Sequence, residues 1–277
     1  MDGGNRRRKF PIDFDEVVAV GNNARNNAYF GLNVLQGLTE GIDDFIINKH
    51  DLWSCIRSLG PILLGSSMWI DDQPLLDKIA ELYGATVVIT KQSHNKKELQ
   101  QLREFNEGTP GLSIAAFPDF NLLAPKVNGS PEVIGPHSSI NDWIIPTIRT
   151  LGYRKELKND SPPILHAKLA LMGHLRWHDE GPIGTVENIV WFKAQRLWVS
   201  SANFTESSRR SLEFGFWTEE PELLEGAERF LIKLIQSSEN LDPVEGSFFP
   251  ELAGVEFDNE AMFEHWKSIT NEPLEEE

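Results

Sequence analysis

The sequence predicts an α/β fold in which a mixed, largely parallel sheet is flanked by helices. Three observations carry that expectation. Between Pro61 and Phe117, strand-like and helix-like segments alternate as β-α-β-α-β, the pattern of strands joined by helical crossovers. The chain has 277 residues, 40% of them hydrophobic, enough to bury one substantial core. Cys55 is the sole cysteine, so no intrachain disulfide is available and packing has to hold the chain together.

Residues 1–50 read as an N-terminal helical or irregular segment, Asn-rich from Gly21 to Asn27 and helix-like from Ala28 to Ile47, with turn signals at Gly31 and Gly41. Residues 51–277 read as a single domain closed by acidic C-terminal helices. Its first strand is the run ILLGSSMWI, after which Asp71 or Asp72 can cap a helix from Pro74 to Leu82 with Leu75, Leu76, Ile79 and Leu82 facing inward. Ala85 to Thr90 is the next strand, Lys96 to Phe105 a helix and Leu112 to Phe117 a third strand. Phe117 to His137, rich in Pro, Gly and Asn, reads as a long loop over the site, and Ile140 to Leu151 as a helix. After a connector from Lys155 to Pro163, Ile164 to Met172 is a strand. Glu187 to Ser201 forms two β segments around Lys193, Ala194 and Gln195, with Trp191 and Trp198 as packing residues. Helices from Pro221 to Gln236 and from Asn259 to Ile269 follow, and Glu272 to Glu277 is an acidic tail.

Charge narrows the function classes. The net charge is −16, yet 18 acids and 3 bases lie from Glu213 onward, which leaves 24 acids and 23 bases before it. The central part of the chain is therefore near neutral and compatible with a local cationic pocket. No long basic stripe with interleaved aromatics supports tight, sequence-independent binding of long duplexes. The basic run Arg6 to Lys9 reads as a flexible tail; no hydrophobic stretch follows it, so no secretory signal is expected and a cytoplasmic location is. Nor does any apolar run approach the roughly 18 residues of a membrane span.

Two segments carry chemistry. In ILHAKLALM, alternation along a strand puts His166 and Lys168 on one face, while Leu165, Ala167, Leu169 and Leu171 line the other. In WVSSANF, Ser201 and Asn203 share a face in the same way. An imidazole beside an ammonium, a hydroxyl and an amide suits a phosphodiester, which needs a nucleophile for phosphorus and donors for its oxygens. His174 and His178 are four apart, a metal-ligand spacing only on a helix. Because HLRWHDEGP leads from a strand into a turn, they read as solvated, and no metal or other cofactor is expected.

HAKL followed by SSANFTESSRRSLEF resembles the HxK and GSxN signature of the phospholipase D superfamily, the HKD phosphodiesterases. The specific part of the resemblance spans Ile164 to Gly215. It implies a phospholipase D-like fold and a metal-independent mechanism through a phosphohistidine on His166. Lys168 and Asn203 would hold the phosphate, Ser200 and Ser201 would belong to the substrate-binding segment, and Glu213 would orient the histidine. The chain departs from the pattern at three points: Met172 and Gly173 stand where the family has an acid, Ser200 stands for its glycine, and the insert between the two segments is long.

With one HxK per chain and two histidine roles per reaction, the sequence supplies half a site, which a C2 homodimer would complete. Within the family a nuclease acting on nucleic acid is the leading reading. The alternatives are a phospholipase or phosphatidyl transferase, and a catalytically silent scaffold of the same fold.

Overall fold

The structure is a computed structural model that describes residues 27–47, 57–90, 96–113, 117, 123–127, 130–131, 144–151, 165–180, 187–241 and 252–254. The chain opens with β1 (Ala28–Gly31) and α1 (Leu35–Ile47), followed by β2 (Arg57–Ser67), α2 (Gln73–Ala80), β3 (Gly84–Thr90) and α3 (Lys96–Gly108). Short strands β4 (Leu112–Ser113), β5 (Leu123–Val127), β6 (Ser130–Pro131) and β7 (Ile144–Ile145) come next, then β8 (Ile148–Leu151). The second half holds β9 (Leu169–Glu180), β10 (Glu187–Ser200), β11 (Glu213–Thr218), α4 (Pro221–Gln236), β12 (Glu239–Asn240) and β13 (Leu252–Gly254).

Eight strands form the main sheet in the order β1-β11-β10-β9-β2-β3-β8-β12. It is mixed, as expected, but mostly antiparallel: among the described strands only β2 with β3 and β3 with β8 run parallel. The expectation of a largely parallel sheet extended the early alternation to the whole chain. Helical crossovers α2 and α3 do impose parallel pairing in the first half. β9 pairs antiparallel with β10 and β10 with β11, and among the described residues a single 3-10 turn (Glu206–Arg210) is the helical structure between them, so these strands fold back on one another.

Helices cover both faces. On one, Leu35, Leu38 and Ile42 of α1, Leu75 and Ile79 of α2 and Leu99 and Leu102 of α3 pack on Leu63, Val87, Met172, Trp198 and Trp217. On the other, Leu231, Ile232 and Ile235 of α4 pack on Ile62, Leu64, Val88, Leu171 and Leu197. Each such side chain contributes roughly 1.5–3 kcal/mol by leaving water. Residues 28–47, read as part of an N-terminal segment, thus supply an edge strand to the main sheet and a helix to its core.

Several local expectations change. Gly41, read as a turn signal, lies inside α1, where a Cβ would stand 2.5 Å from the Trp217 ring; the glycine lets helix and indole close up. Trp217 Nε1 donates to the Gly37 carbonyl one turn earlier at 2.9 Å. Ile140 to Leu151, expected as a helix, contains β7 and β8 instead, because Pro146 interrupts a segment otherwise rich in β-branched residues. The strand expected from Leu112 to Phe117 is only β4, paired with β7 outside the main sheet. Within the expected loop from Phe117 to His137, β5 and β6 join β13 in a small sheet. By contrast α2 begins at its predicted cap, Asp72, whose carboxylate accepts from Leu75 N at 3.1 Å, and α4 has the expected bounds. The expected helix Asn259 to Ile269, the acidic tail and the Lys155 to Pro163 connector lie outside the described residues.

Candidate active site

β9 and β10 form a long antiparallel hairpin whose open end carries the candidate residues. The ladder closes at Leu169 opposite Val199, so His166 and Lys168 sit just before β9 rather than within it. Their backbone continues the pairing by one bond, as Ser200 N donates to Lys168 O at 3.1 Å. Faces alternate as the sequence predicts, with Leu165 and Leu171 in the core under α4 and Ala170 and Met172 in the core under α1 to α3. Lys168 falls on the latter side and is 5% exposed, while His166, at the rim, is exposed.

The Lys168 Nζ stands 2.9 Å from His166 Nδ1 and 3.1 Å from Nε2, so the ring nitrogen without a proton accepts from the ammonium. Burial pushes the Lys168 pKa below the ordinary lysine value, and the nearby Glu213 carboxylate opposes that shift. Among the described residues no carboxylate forms an ion pair with this ammonium. A buried cation beside a solvent-facing imidazole makes an electropositive recess suited to an anion.

The second half of the site is the turn from β10 into β11. Ser201 Oγ donates to Glu213 Oε2 at 2.5 Å and accepts from Phe214 N at 3.0 Å, while Ser201 N donates to Phe214 O at 3.0 Å. These bonds fix Glu213 at the first position of β11. Ser200 is used inside the protein, its hydroxyl donating to Phe214 O at 2.7 Å and accepting from Ala202 N at 2.9 Å. Asn203 is half-buried, and its Oδ1 is buried with no hydrogen-bond partner. The structure therefore joins His166 to Lys168 and Ser201 to Glu213 by direct bonds, and it brings the two pairs together through the Ser200–Lys168 backbone link.

Gly173 accounts for the missing acid. A Cβ there would collide with the Lys193 carbonyl and the Phe192 ring, leaving no room for a carboxylate side chain. His174 and His178 both lie on β9, four residues or roughly 13 Å apart along a strand, too far to share an ion. The strand runs on to Glu180 rather than breaking into a turn at these histidines. His174 is stacked on Phe45 at 4.6 Å and its Nδ1 stands 2.5 Å from Gln195 Oε1. Among the described residues no group of three or more His, Cys, Asp or Glu side chains is placed to hold a metal ion.

Residues that sequence reasoning missed hold the loop after Asn203. Phe204, wholly buried, donates from N to Ser67 Oγ at 3.0 Å and accepts at O from Asp71 N and Asp72 N at 3.1 and 3.2 Å. Farther along, Arg209 grips Asp72 with two bonds of 2.6 Å. Asp72 was legible as a helix cap; nothing in the spacing of residues 72 and 209 announces their contact.

No family model matches the chain, and no curated protein matches it. Among solved structures the chain is similar to NucT from Helicobacter pylori, at 12% identity and a TM-score of 0.40, over 77% of this chain and 99% of that one. Within the described residues no helix is long and apolar enough to cross a membrane.

Proposed function

We propose that this protein is a metal-independent phosphodiesterase that cleaves nucleic acid through a phosphohistidine on His166, with its active site completed by a second copy of the chain. The observation that carries the reading is the Lys168 ammonium, buried, without an ion-paired carboxylate among the described residues, and 2.9 Å from the exposed His166 imidazole. A phosphate supplies the charge that this recess lacks, and the imidazole stands where it can reach phosphorus.

In the first step an unprotonated nitrogen of His166 attacks phosphorus, the N–P bond forms and the P–O bond to the leaving group breaks. Lys168 and the Asn203 amide donate to the phosphoryl oxygens, whose charge is best matched as the reaction proceeds, while the Ser201 hydroxyl stays on Glu213. The leaving oxygen takes a proton from the second copy's histidine. Water deprotonated by that same histidine then attacks phosphorus, the N–P bond breaks, and His166 is regenerated. Glu213, fixed by Ser201, lies close enough to bias the recess electrostatically.

The test is a panel of single- and double-stranded DNA, RNA, a generic bis-ester and phospholipid vesicles, each with and without excess EDTA. Hydrolysis of a nucleic acid that persists in EDTA and disappears in His166→Ala, with the thermal midpoint unchanged, is the expected result. Loss in EDTA restored by one divalent ion, or turnover surviving in His166→Ala, refutes the mechanism. Cleavage of vesicles alone moves the substrate to lipid. Full activity per chain at dilutions where the protein sediments as a monomer refutes the shared site.

A further inference from the structure

The loop from Ser201 to Glu213 carries both Asn203 and Glu213, and most of it has no strand ladder to define its path. Its base is closed by the Ser201–Glu213 bond. Its body is tied to two other parts of the chain. Phe204 is bonded to the end of β2 and to the turn before α2, and Glu206 N donates to Asp71 Oδ1 at 2.8 Å. Arg209 then places Nε and Nη2 on the two Asp72 oxygens, a planar bidentate fork to a carboxylate that is itself fully buried. The same guanidinium donates to Asn33 Oδ1 at 2.9 Å, and the Arg209 carbonyl accepts from Asn33 N at 2.9 Å, so the start of α1 joins the clamp.

Arg209 lies six residues after Asn203 and four before Glu213. Where it sits fixes how far the loop can carry either side chain from the His166–Lys168 pair. None of the loop's ties engages the Asn203 side chain, whose Oδ1 stays without a partner. We propose that the Asp72–Arg209 ion pair is a positioning device for the active loop, holding Asn203 and Glu213 in register with His166 and Lys168. The inference rests on the phosphodiesterase reading of that site. Asp72 and Arg209 are positioning residues: the Asp72 carboxylate is fully buried, and the Arg209 guanidinium is engaged on it.

A merely structural pair and a positioning pair respond differently to replacement. Arg209→Lys keeps the charge but cannot form the fork. The double variant Asp72→Asn with Arg209→Met keeps a capping side chain for α2 and leaves neither charge buried without its partner. Both variants are checked for the wild-type circular dichroism spectrum and a cooperative thermal transition, and rates are expressed per folded chain. A displacement of about 1 Å at a reacting centre costs up to about a hundredfold in rate, so kcat is expected to fall roughly 10- to 100-fold in both, with KM changed less than about threefold.

A second readout needs no turnover. Lys168 feels the Glu213 charge at the end of the loop. A slackened loop weakens that influence, so NMR of the Lys168 ε-carbon should show it titrating at lower pH in the double variant than in the wild type. If the wild-type protein shows no His166-dependent hydrolysis, the phosphodiesterase reading fails, and the pair is then judged by this titration alone. The positioning role is overturned if the folded variants keep wild-type kcat, if the rate falls only in step with the folded fraction, or if the Lys168 titration does not move.

Discussion

Lys168→Met keeps the aliphatic stem of a side chain that is 5% exposed and removes its ammonium. In the proposed reaction, the change deletes one donor to the developing phosphoryl charge, which corresponds to about 10²–10³ in kcat, or about 2.7–4 kcal/mol. For the fold, the sign is opposite. Burial lowers the Lys168 pKa in the native state, so the unfolded chain binds this proton more tightly than the folded one. The group's contribution to stability is therefore full above the unfolded value of 10.5 and is lost as pH falls through the lowered native value. At neutral pH the wild type bears the cost of a buried charge that the variant lacks. Lys168→Met is expected to raise the urea midpoint at neutral pH, and this advantage should shrink as pH approaches 10.5. The assay pairs bis-ester turnover with urea unfolding across that range. A variant that loses stability at neutral pH, or keeps wild-type turnover, refutes the account of Lys168 as an uncompensated cation kept for phosphate.

Two further changes probe the surroundings of that cation. Glu213→Gln removes the charge that holds up the Lys168 pKa while leaving an oxygen for Ser201, so the rate should fall less than in Lys168→Met and the alkaline limb of the pH–rate profile should move to lower pH. An unmoved limb would make Glu213 a structural partner of Ser201 only. Gly173→Ala pushes a methyl group into the Lys193 carbonyl and the Phe192 ring, and should destabilise by about 1–3 kcal/mol, read from the denaturant midpoint; a neutral result would contradict the steric account of the missing acid.

How much of this was legible varied with the range of the interaction concerned. α2, α3, α4 and β3 follow from local periodicity, caps and β-branched runs, and the side chains around His166 and Lys168 alternate as a two-residue period requires. Strand direction was misread because the α/β alternation of residues 61–117 was carried past the point where it stops. Among the described residues from Leu169 onward, three strands follow without an intervening helix of more than one turn, which is the signature of hairpins. Ile140, Ile144, Ile148 and Leu151 mimic a helical stripe, and Pro146 was the signal against it. In the candidate site, residue types and spacing marked His166, Lys168, Ser201, Asn203 and Glu213, all within one 48-residue stretch. Arg209 and Asp72 are 137 positions apart, and no local pattern joins them. Likewise Gly173 is explained by Phe192 and Lys193, across a hairpin whose register the sequence leaves open.

The β9–β10 ribbon has a further consequence for how this chain can vary. Its 12-residue first strand, at about 3.4 Å per residue, carries Glu180 roughly 40 Å along the ribbon from Lys168, so the described part of the long insert between HAKL and SSANF runs away from the candidate site. Near the middle, one extra residue, Gln195, is taken up in a bulge between Ala194 and Arg196. That bulge shifts the two-residue alternation by one, so that Phe192 before it and Leu197 after it share one face of the sheet; without Gln195, Phe192 would still stand opposite Leu175 and Val199 opposite Leu169. Residues added in matched pairs near Glu180 and Glu187 would lengthen the ribbon without turning any side chain over. Length can thus change freely at one end of the hairpin while the other end keeps a fixed address for Lys168 and Ser200.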